Sequence, residues 1–109
     1  MKLHDIPFHV TDWSAIPPTS HPGERGVALW RTRQLGEIRV RMVEYLPGYL
    51  ADHWCAKGHI LLCLEGQLDT ELADGRCVTL TPGMSYQVAD DKAPHRSSTE
   101  VGATLFIVD

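Results

Sequence analysis

Gly48-Tyr49-Leu50-Ala51-Asp52-His53-Trp54-Cys55-Ala56-Lys57-Gly58-His59 places three nitrogen or sulfur donors, His53, Cys55 and His59, within seven residues. An apolar run, Ile60 to Leu64, follows and closes on Glu65-Gly66. Imidazole and thiolate are the side chains that hold transition metals at neutral pH. Strand alternation puts His53 and Cys55 on one face with Trp54 opposite, and His59, Leu61 and Cys63 on one face of the next strand. Ile60, Leu62 and Leu64 are apolar as well, so this strand belongs in the centre of a two-layer or closed sheet structure. The three donors are then expected to point together into an interior where only a compensating partner, such as a metal, makes a polar cluster tolerable.

Outward from that stretch, helix signals are nearly absent. No long segment keeps apolar residues at i, i+3, i+4 and i+7. Pro22-Gly23, Pro47-Gly48, Glu65-Gly66, Asp74-Gly75 and Pro82-Gly83 cut the chain into short pieces. Between them lie alternating or β-branched runs at Val27–Thr32, Glu37–Tyr45, Ile60–Leu64, Gln67–Leu72, Cys77–Leu80, Ser85–Val88 and Thr104–Val108. Short strands at this spacing predict an all-β sandwich or barrel over residues 27–109. Residues 1–26, rich in proline and polar groups, read as an irregular N-terminal arm that packs on the barrel or on a second subunit. Its one helical turn is expected at Thr11–Ala15, before Pro17-Pro18.

At 109 residues the chain forms one domain. Its 43% apolar and 22% charged residues are those of an ordinary globular protein. No apolar run is long enough for a transmembrane helix, so no membrane partner is expected. Met1–Pro7 lacks the apolar core of a signal peptide, which predicts a cytoplasmic protein. A net charge of -4 argues against nucleic acid as a partner. Arg31, Arg33, Arg39 and Arg41 cluster, but with Glu37 and Glu44 interleaved they read as a solvated strand face. The three cysteines do not make a disulfide framework. In a hairpin turning near Lys57, Cys63 sits opposite Ala51, about 13 Å from Cys55 along the strand, which excludes a 55–63 bridge.

The spacing resembles that of the cupins, whose first motif reads Gly-x5-His-x-His-x3-Glu-x6-Gly. Here His53, Cys55, His59 and Gly66 reproduce the downstream spacing in full. Cys55 replaces the second His, His59 replaces the Glu, and only four residues separate Gly48 from His53. The second motif, Pro-x-Gly-x2-His-x3-Asn, has its histidine at His95, while Asp90, Lys92 and Thr99 stand at its Pro, Gly and Asn positions. The likeness covers residues 38–109. The block Asp52-His53-Trp54-Cys55 also resembles small cupins named for an Asp-His-Cys-Trp motif, from which no activity is carried over. The resemblance implies a double-stranded β-helix, or jelly-roll, barrel. It also implies one lumenal metal ion at the positions of His53, Cys55, His59 and His95.

One thiolate and three imidazoles favour zinc, ferrous iron, nickel or copper over magnesium, calcium or manganese. A closed four-ligand site would be structural zinc; an open one would serve catalysis. Cys55 as a nucleophile lacks a nucleophile elbow, a helix N-terminus or an oxyanion loop beside it. Glu44, on the Val40–Met42 face, is the one candidate for a general base or a partner to the metal ligands, and equally fits a solvated position at the strand end. Asp52 and Glu65 read as surface groups, as do His4, His9 and His21. Cys63 and Cys77 read as core residues, and Tyr86 either lines the pocket or is a core aromatic with its hydroxyl at the surface, the second reading being preferred. Arg96 points away from His95. Trp30 and Trp54 pack between sheets or at a subunit interface, and Trp13, Val27 and Trp30 suggest a homodimer. Three functions compete: a metal-dependent enzyme acting on a small polar molecule, a non-catalytic module that binds a small ligand or metal, and a structural metal site.

Overall fold

The computed structural model describes residues 3–109, so Met1 and Lys2 of the expected arm lie outside the described residues. Among the described residues, nine strands form two antiparallel sheets: β1 (Thr19–Pro22), β2 (Val27–Leu35), β3 (Ile38–Tyr45), β4 (His59–Gly66), β5 (Leu68–Leu72), β6 (Cys77–Leu80), β7 (Ser85–Val88), β8 (His95–Ser98) and β9 (Ala103–Val108). The larger sheet runs β1-β2-β3-β9-β4-β7 and the smaller β6-β5-β8. Every expected run is a strand. β1 and β8 are additions, short and polar enough to carry no periodic signal. The all-β, jelly-roll architecture is therefore as the sequence predicts.

Thr19–Pro22 falls within the arm but pairs with Val27–Trp30 as the edge strand of the larger sheet. The expected helical turn is a 3-10 helix at Trp13–Ala15, capped by the Asp12 carboxylate, which accepts from the Ser14 N–H. Trp13 meets Phe106 edge to face at 6.2 Å, which fastens the arm to the outer side of the sheet.

β9 is last in sequence yet lies between β3 and β4. It suits a central position because both its faces are apolar: Ala103, Leu105 and Ile107 are buried inward, and Phe106 and Val108 are half-buried outward. Register across these strands decides what faces the interior. Val43 and Cys63 both stand opposite Leu105, and Arg41 and Leu61 both stand opposite Ile107. Val43, Leu61, Cys63, Leu68, Leu80, Leu105 and Ile107 make the main core. Arg39 and Arg41 therefore face inward with Val43 and Tyr45, contrary to the reading of a solvated arginine face. The core rows oblige this parity, since a one-residue slip would expose Val43 and Leu105.

Two further expectations fail for local reasons. Cys77 is exposed rather than core, because β6 buries only Leu80. The hairpin pairing Ala51 with Cys63 does not form. Residues 50–55 instead run along β8, with bridges Leu50↔Ser98 and Cys55↔His95. The conclusion drawn from that hairpin survives, since Cys55 and Cys63 are free thiols.

Gly66 ends β4 at a positive φ of 74°. A Cβ there would lie 1.9 Å from the Gly102 carbonyl oxygen. Gly75, also at positive φ, has open space around it. Gly66→Ala is expected to destabilise the fold by well over ~1 kcal/mol, through backbone strain plus a clash with main chain, and Gly75→Ala by about 1 kcal/mol. Urea denaturation of both variants checks the difference, and equal losses would contradict the packing at Gly66.

Candidate metal centre

His59 opens β4 on the same inward face as Leu61 and Cys63. His95 opens β8 in the opposite layer and is 2% exposed. Cys55 is brought alongside His95 by two backbone hydrogen bonds: its N–H donates to the His95 carbonyl at 2.7 Å and its carbonyl accepts from the His95 N–H at 3.0 Å. One donor atom from each of Cys55, His59 and His95 lies within 4.8 Å of the others. Three of the four expected donors are thus brought together from three separate segments.

His53 is not in that cluster. Ala51 and Cys55 bond to Ser97 and His95 respectively, so Asp52, His53 and Trp54 together span the place opposite Arg96. The surplus residues bulge outward and break the alternation that was expected to align His53 with Cys55. The His53 side chain is 74% exposed, with Nδ1 2.6 Å from the Asp52 carboxylate. It lines the mouth of the cavity, and Trp54 beside it is exposed. Arg96 points away from His95, as expected, donating to the Ala51 carbonyl and pairing with Glu24.

Glu44 also stands outside the site. It is exposed on the outer sheet face, in a groove with Pro47, Gly66 and Val101. The inward parity of Arg41 and Val43 sends position 44 outward, so Glu44 cannot serve as the lumenal base.

An acid that sequence reasoning missed takes that place. The Asp109 side chain is 1% exposed. Its carboxylate accepts from Arg39 Nε at 2.9 Å and Nη2 at 3.0 Å, and from Arg41 Nη2 at 3.1 Å. It lies 3.7 Å from His59 Nδ1, an ion-pair separation too long for a hydrogen bond. Burial alone would raise this carboxyl, but His59, Arg39 and Arg41 reverse the effect and hold it well below the usual carboxylate range. The available signal was parity, because Leu105, Ile107 and Asp109 share one face.

The other walls are aromatic. Tyr86 faces inward, its hydroxyl 2.9 Å from His59 Nε2, rather than reaching the surface. Burial pushes its pKa far up, so it remains a neutral hydrogen-bond donor. Trp30 lies beneath Arg41 at 4.4 Å and stacks on His21 at 3.7 Å, which makes His21 part of the wall's backing rather than a free surface group. Together these side chains enclose a cavity of about 120 Å³.

The hydrogen-bond partners of the two histidines decide what the cluster can hold. His95 Nδ1 is 2.8 Å from the Ala93 carbonyl, which can only accept, so the proton sits on Nδ1 and Nε2 presents a lone pair. For His59, the Asp109 carboxylate favours the proton on Nδ1, a buried atom with no hydrogen-bond partner among the described residues. The Tyr86 hydroxyl then approaches its single Nε2 lone pair at 2.9 Å. The two Nε2 atoms are 3.0 Å apart, and with both Nδ1 atoms protonated neither has a proton to give the other. Cys55 lies beside them, its pKa lowered chiefly by a hydrogen bond with His95 and also by a backbone hydrogen bond at Lys57, against the effect of burial. Metal–donor lengths of ~2.0–2.3 Å give donor separations of roughly 3.3–3.6 Å in a tetrahedral site, a spacing this cluster reaches with small side-chain shifts. The residues present fit a metal ion, and the outward hydrogen bond from His95 Nδ1 to a carbonyl is of the kind that orients a histidine ligand.

No family model and no curated protein sequence matches the chain. Solved structures do. A predicted oxalate decarboxylase from Thermotoga maritima superposes with a TM-score of 0.78 over 92% of this chain and 96% of its own, at 16% identity. Fe(II)-HppE with an alternative substrate gives 0.74 over 94% of this chain and 60% of its own, at 16% identity. A cupin-2 domain protein from Shewanella frigidimarina gives 0.59 over 73% and 78%, at 15% identity. This is a cupin fold. The cupin barrel here carries a Cys/His/His cluster between its two layers, suited by geometry and donor chemistry to a metal ion.

Asp109→Asn is expected to destabilise the cupin barrel by about 3–5 kcal/mol at neutral pH, because it leaves buried Arg41 without its charge partner. The folded-state pKa of Asp109 is depressed, so its contribution is present above the unfolded value of about 3.9 and is lost as pH falls through the folded value. The gap between wild type and variant should therefore narrow progressively below about pH 4. Denaturant titrations across pH check this, and a gap that stays constant into acid would contradict the assigned pairing.

Proposed function

We propose that this chain is a small metal-dependent cupin in which Cys55, His59 and His95 hold one transition-metal ion beside a cavity for a small polar molecule. The observation that carries the reading is the 3.0 Å approach of two imidazole Nε2 atoms whose Nδ1 positions both face acceptors. One thiolate and two imidazoles suit zinc, ferrous iron or nickel. Three protein donors are one fewer than a closed structural zinc site uses, which favours a ligand-handling role over a structural one. When bound, such an ion supplies Lewis acidity toward a carbonyl or a water molecule.

The chain's own residues supply orientation and exclusion of water. Tyr86 offers a neutral hydroxyl, Asp109 stands beside the His59 ring at 3.7 Å, and Trp30, Tyr45 and Tyr49 wall the chamber. A volume of about 120 Å³ corresponds to roughly four water molecules at ~30 Å³ each, far below an ordinary drug-sized pocket. Asp109 is tied to two arginines and Glu44 lies outside, so no uncommitted carboxylate stands in the chamber as a general base. That observation favours a second reading, a module that binds its metal and ligand without turnover.

The exposed Phe8 and Val10 of the arm, with Ile60 and Leu64 on the outer face of β4, favour a homodimer. Three unpaired thiols suit a reducing compartment such as the cytoplasm.

Protein purified without added metal is expected to contain about one zinc, iron or nickel per chain. Cys55→Ala, His59→Ala and His95→Ala should each lower that content more than about tenfold, and His53→Ala should leave it nearly intact. Elemental analysis of folded variants decides the matter, and unchanged metal in the first three would end the ligand assignment. Light scattering should give twice the chain mass for the wild type, with Phe8→Asp/Ile60→Asp shifting it toward the monomer; a monomeric wild type would remove the dimer.

A further inference from the structure

The arginines of the chamber are not needed to hold a metal, and their charge is not balanced. Arg39 and Arg41 face one carboxylate, Asp109, in the same cavity. Arg39 uses its Nε–Nη2 edge on Asp109 in full. Arg41 does not. Its side chain is 7% exposed, and its guanidinium, with five possible donors, makes a single hydrogen bond among the described residues, from Nη2 to Asp109 Oδ2 at 3.1 Å. Its Nε is buried without a partner. Burying a guanidinium with its Nε unpartnered is costly, and a native fold retains such a group where something else completes it. Trp30 packs against the Arg41 guanidinium from one side, 4.4 Å from its ring centroid, which restrains the remaining donors.

From these observations the geometry points to a small carboxylate as the ligand of this chamber, held by Arg41. Charge agrees. Two guanidinium groups against one carboxylate leave the chamber with a net positive charge, and burial together with Arg39 pulls the Arg41 pKa down despite Asp109, as expected of a cation short of counter-charge. Size agrees as well. About 120 Å³ is better matched to acetate, glycolate or oxalate than to an aromatic acid. Planar carboxylate recognition is what a guanidinium fork does better than a lysine ammonium. The inference names the ligand class of the site proposed above, but the Arg41 contact does not itself require the metal.

The test is therefore run on metal-free and zinc-loaded protein in parallel, with zinc content measured separately. Acetate, glycolate and oxalate are titrated against tryptophan fluorescence and by calorimetry, with acetamide as the uncharged isostere and benzoate as the oversized acid. Saturable binding of at least one small carboxylate is expected in both forms, with acetamide and benzoate at least tenfold weaker. Arg41→Met should weaken the carboxylate tenfold or more, and Arg41→Lys should recover only part of the loss. Far-ultraviolet dichroism and thermal melts confirm that each variant is folded; if Arg41→Met does not fold, Arg41→Lys and the acetamide comparison carry the test on their own. No carboxylate binding in either form overturns the inference. So does equal affinity for acetamide, or binding that appears only with zinc and is indifferent to Arg41. Failure of zinc to bind at all would instead strike the metal reading and leave the metal-free arm standing.

Discussion

A carboxylate buried to 1% exposure must be matched by positive charge, and the site of this protein is arranged around that requirement at Asp109. Asp109 directly follows β9, which register places between β3 and β4. Arg39 exchanges backbone hydrogen bonds with Asp109, while Ile60 stands opposite Val108 on the other flank, so His59 approaches from that side. The inward rows of the larger sheet thus pass from Val43, Leu105 and Cys63, through Arg41, Ile107 and Leu61, to Arg39, Asp109 and His59. Apolar core gives way to a charged row within the same three strands. The candidate metal centre stands where that row meets the smaller sheet.

The smaller sheet contributes through a different device. Residues 50–55 add themselves to the free side of β8, and reciprocal hydrogen bonds between Cys55 and His95 bring these two side chains together. The cluster is therefore held by main chain on one side and by the Asp109 network on the other. Tyr86, on β7 opposite Leu61, closes the remaining wall. Because each donor is positioned by backbone pairing, the cluster is rigid in the manner a preorganised ligand set requires.

Much of the fold was legible because the chain alternates cleanly. The apolar runs, the turn dipeptides and the two-sided apolarity of Ile60–Leu64 predicted a layered all-β domain with His59 inward. The cupin-like spacing drew His95 into the same site from a strand with no periodic signal of its own. What misled was the reading of arginine as surface. Ile38, Val40 and Met42 are apolar and Arg39 and Arg41 are charged, so the choice of inner face for β3 came out reversed. Composition of one strand could not show that Asp109 and Trp30 stand ready to receive those arginines. His53 failed for another reason, since period-two logic assumes a regular strand and residues 52–54 form a bulge.

The sequence by itself determined the strand-and-turn pattern and offered the three donor residues that the fold brings together, because alternation, turn chemistry and donor type are local properties. Tertiary structure decided which face of β3 looks inward and that Asp109 is the buried acid. It also decided that His53 stands at the mouth and that Arg41 is left with unspent donors. Each of these depends on pairing between strands far apart in the chain, where register and neighbouring charge, rather than local preference, set the balance between burial and exposure.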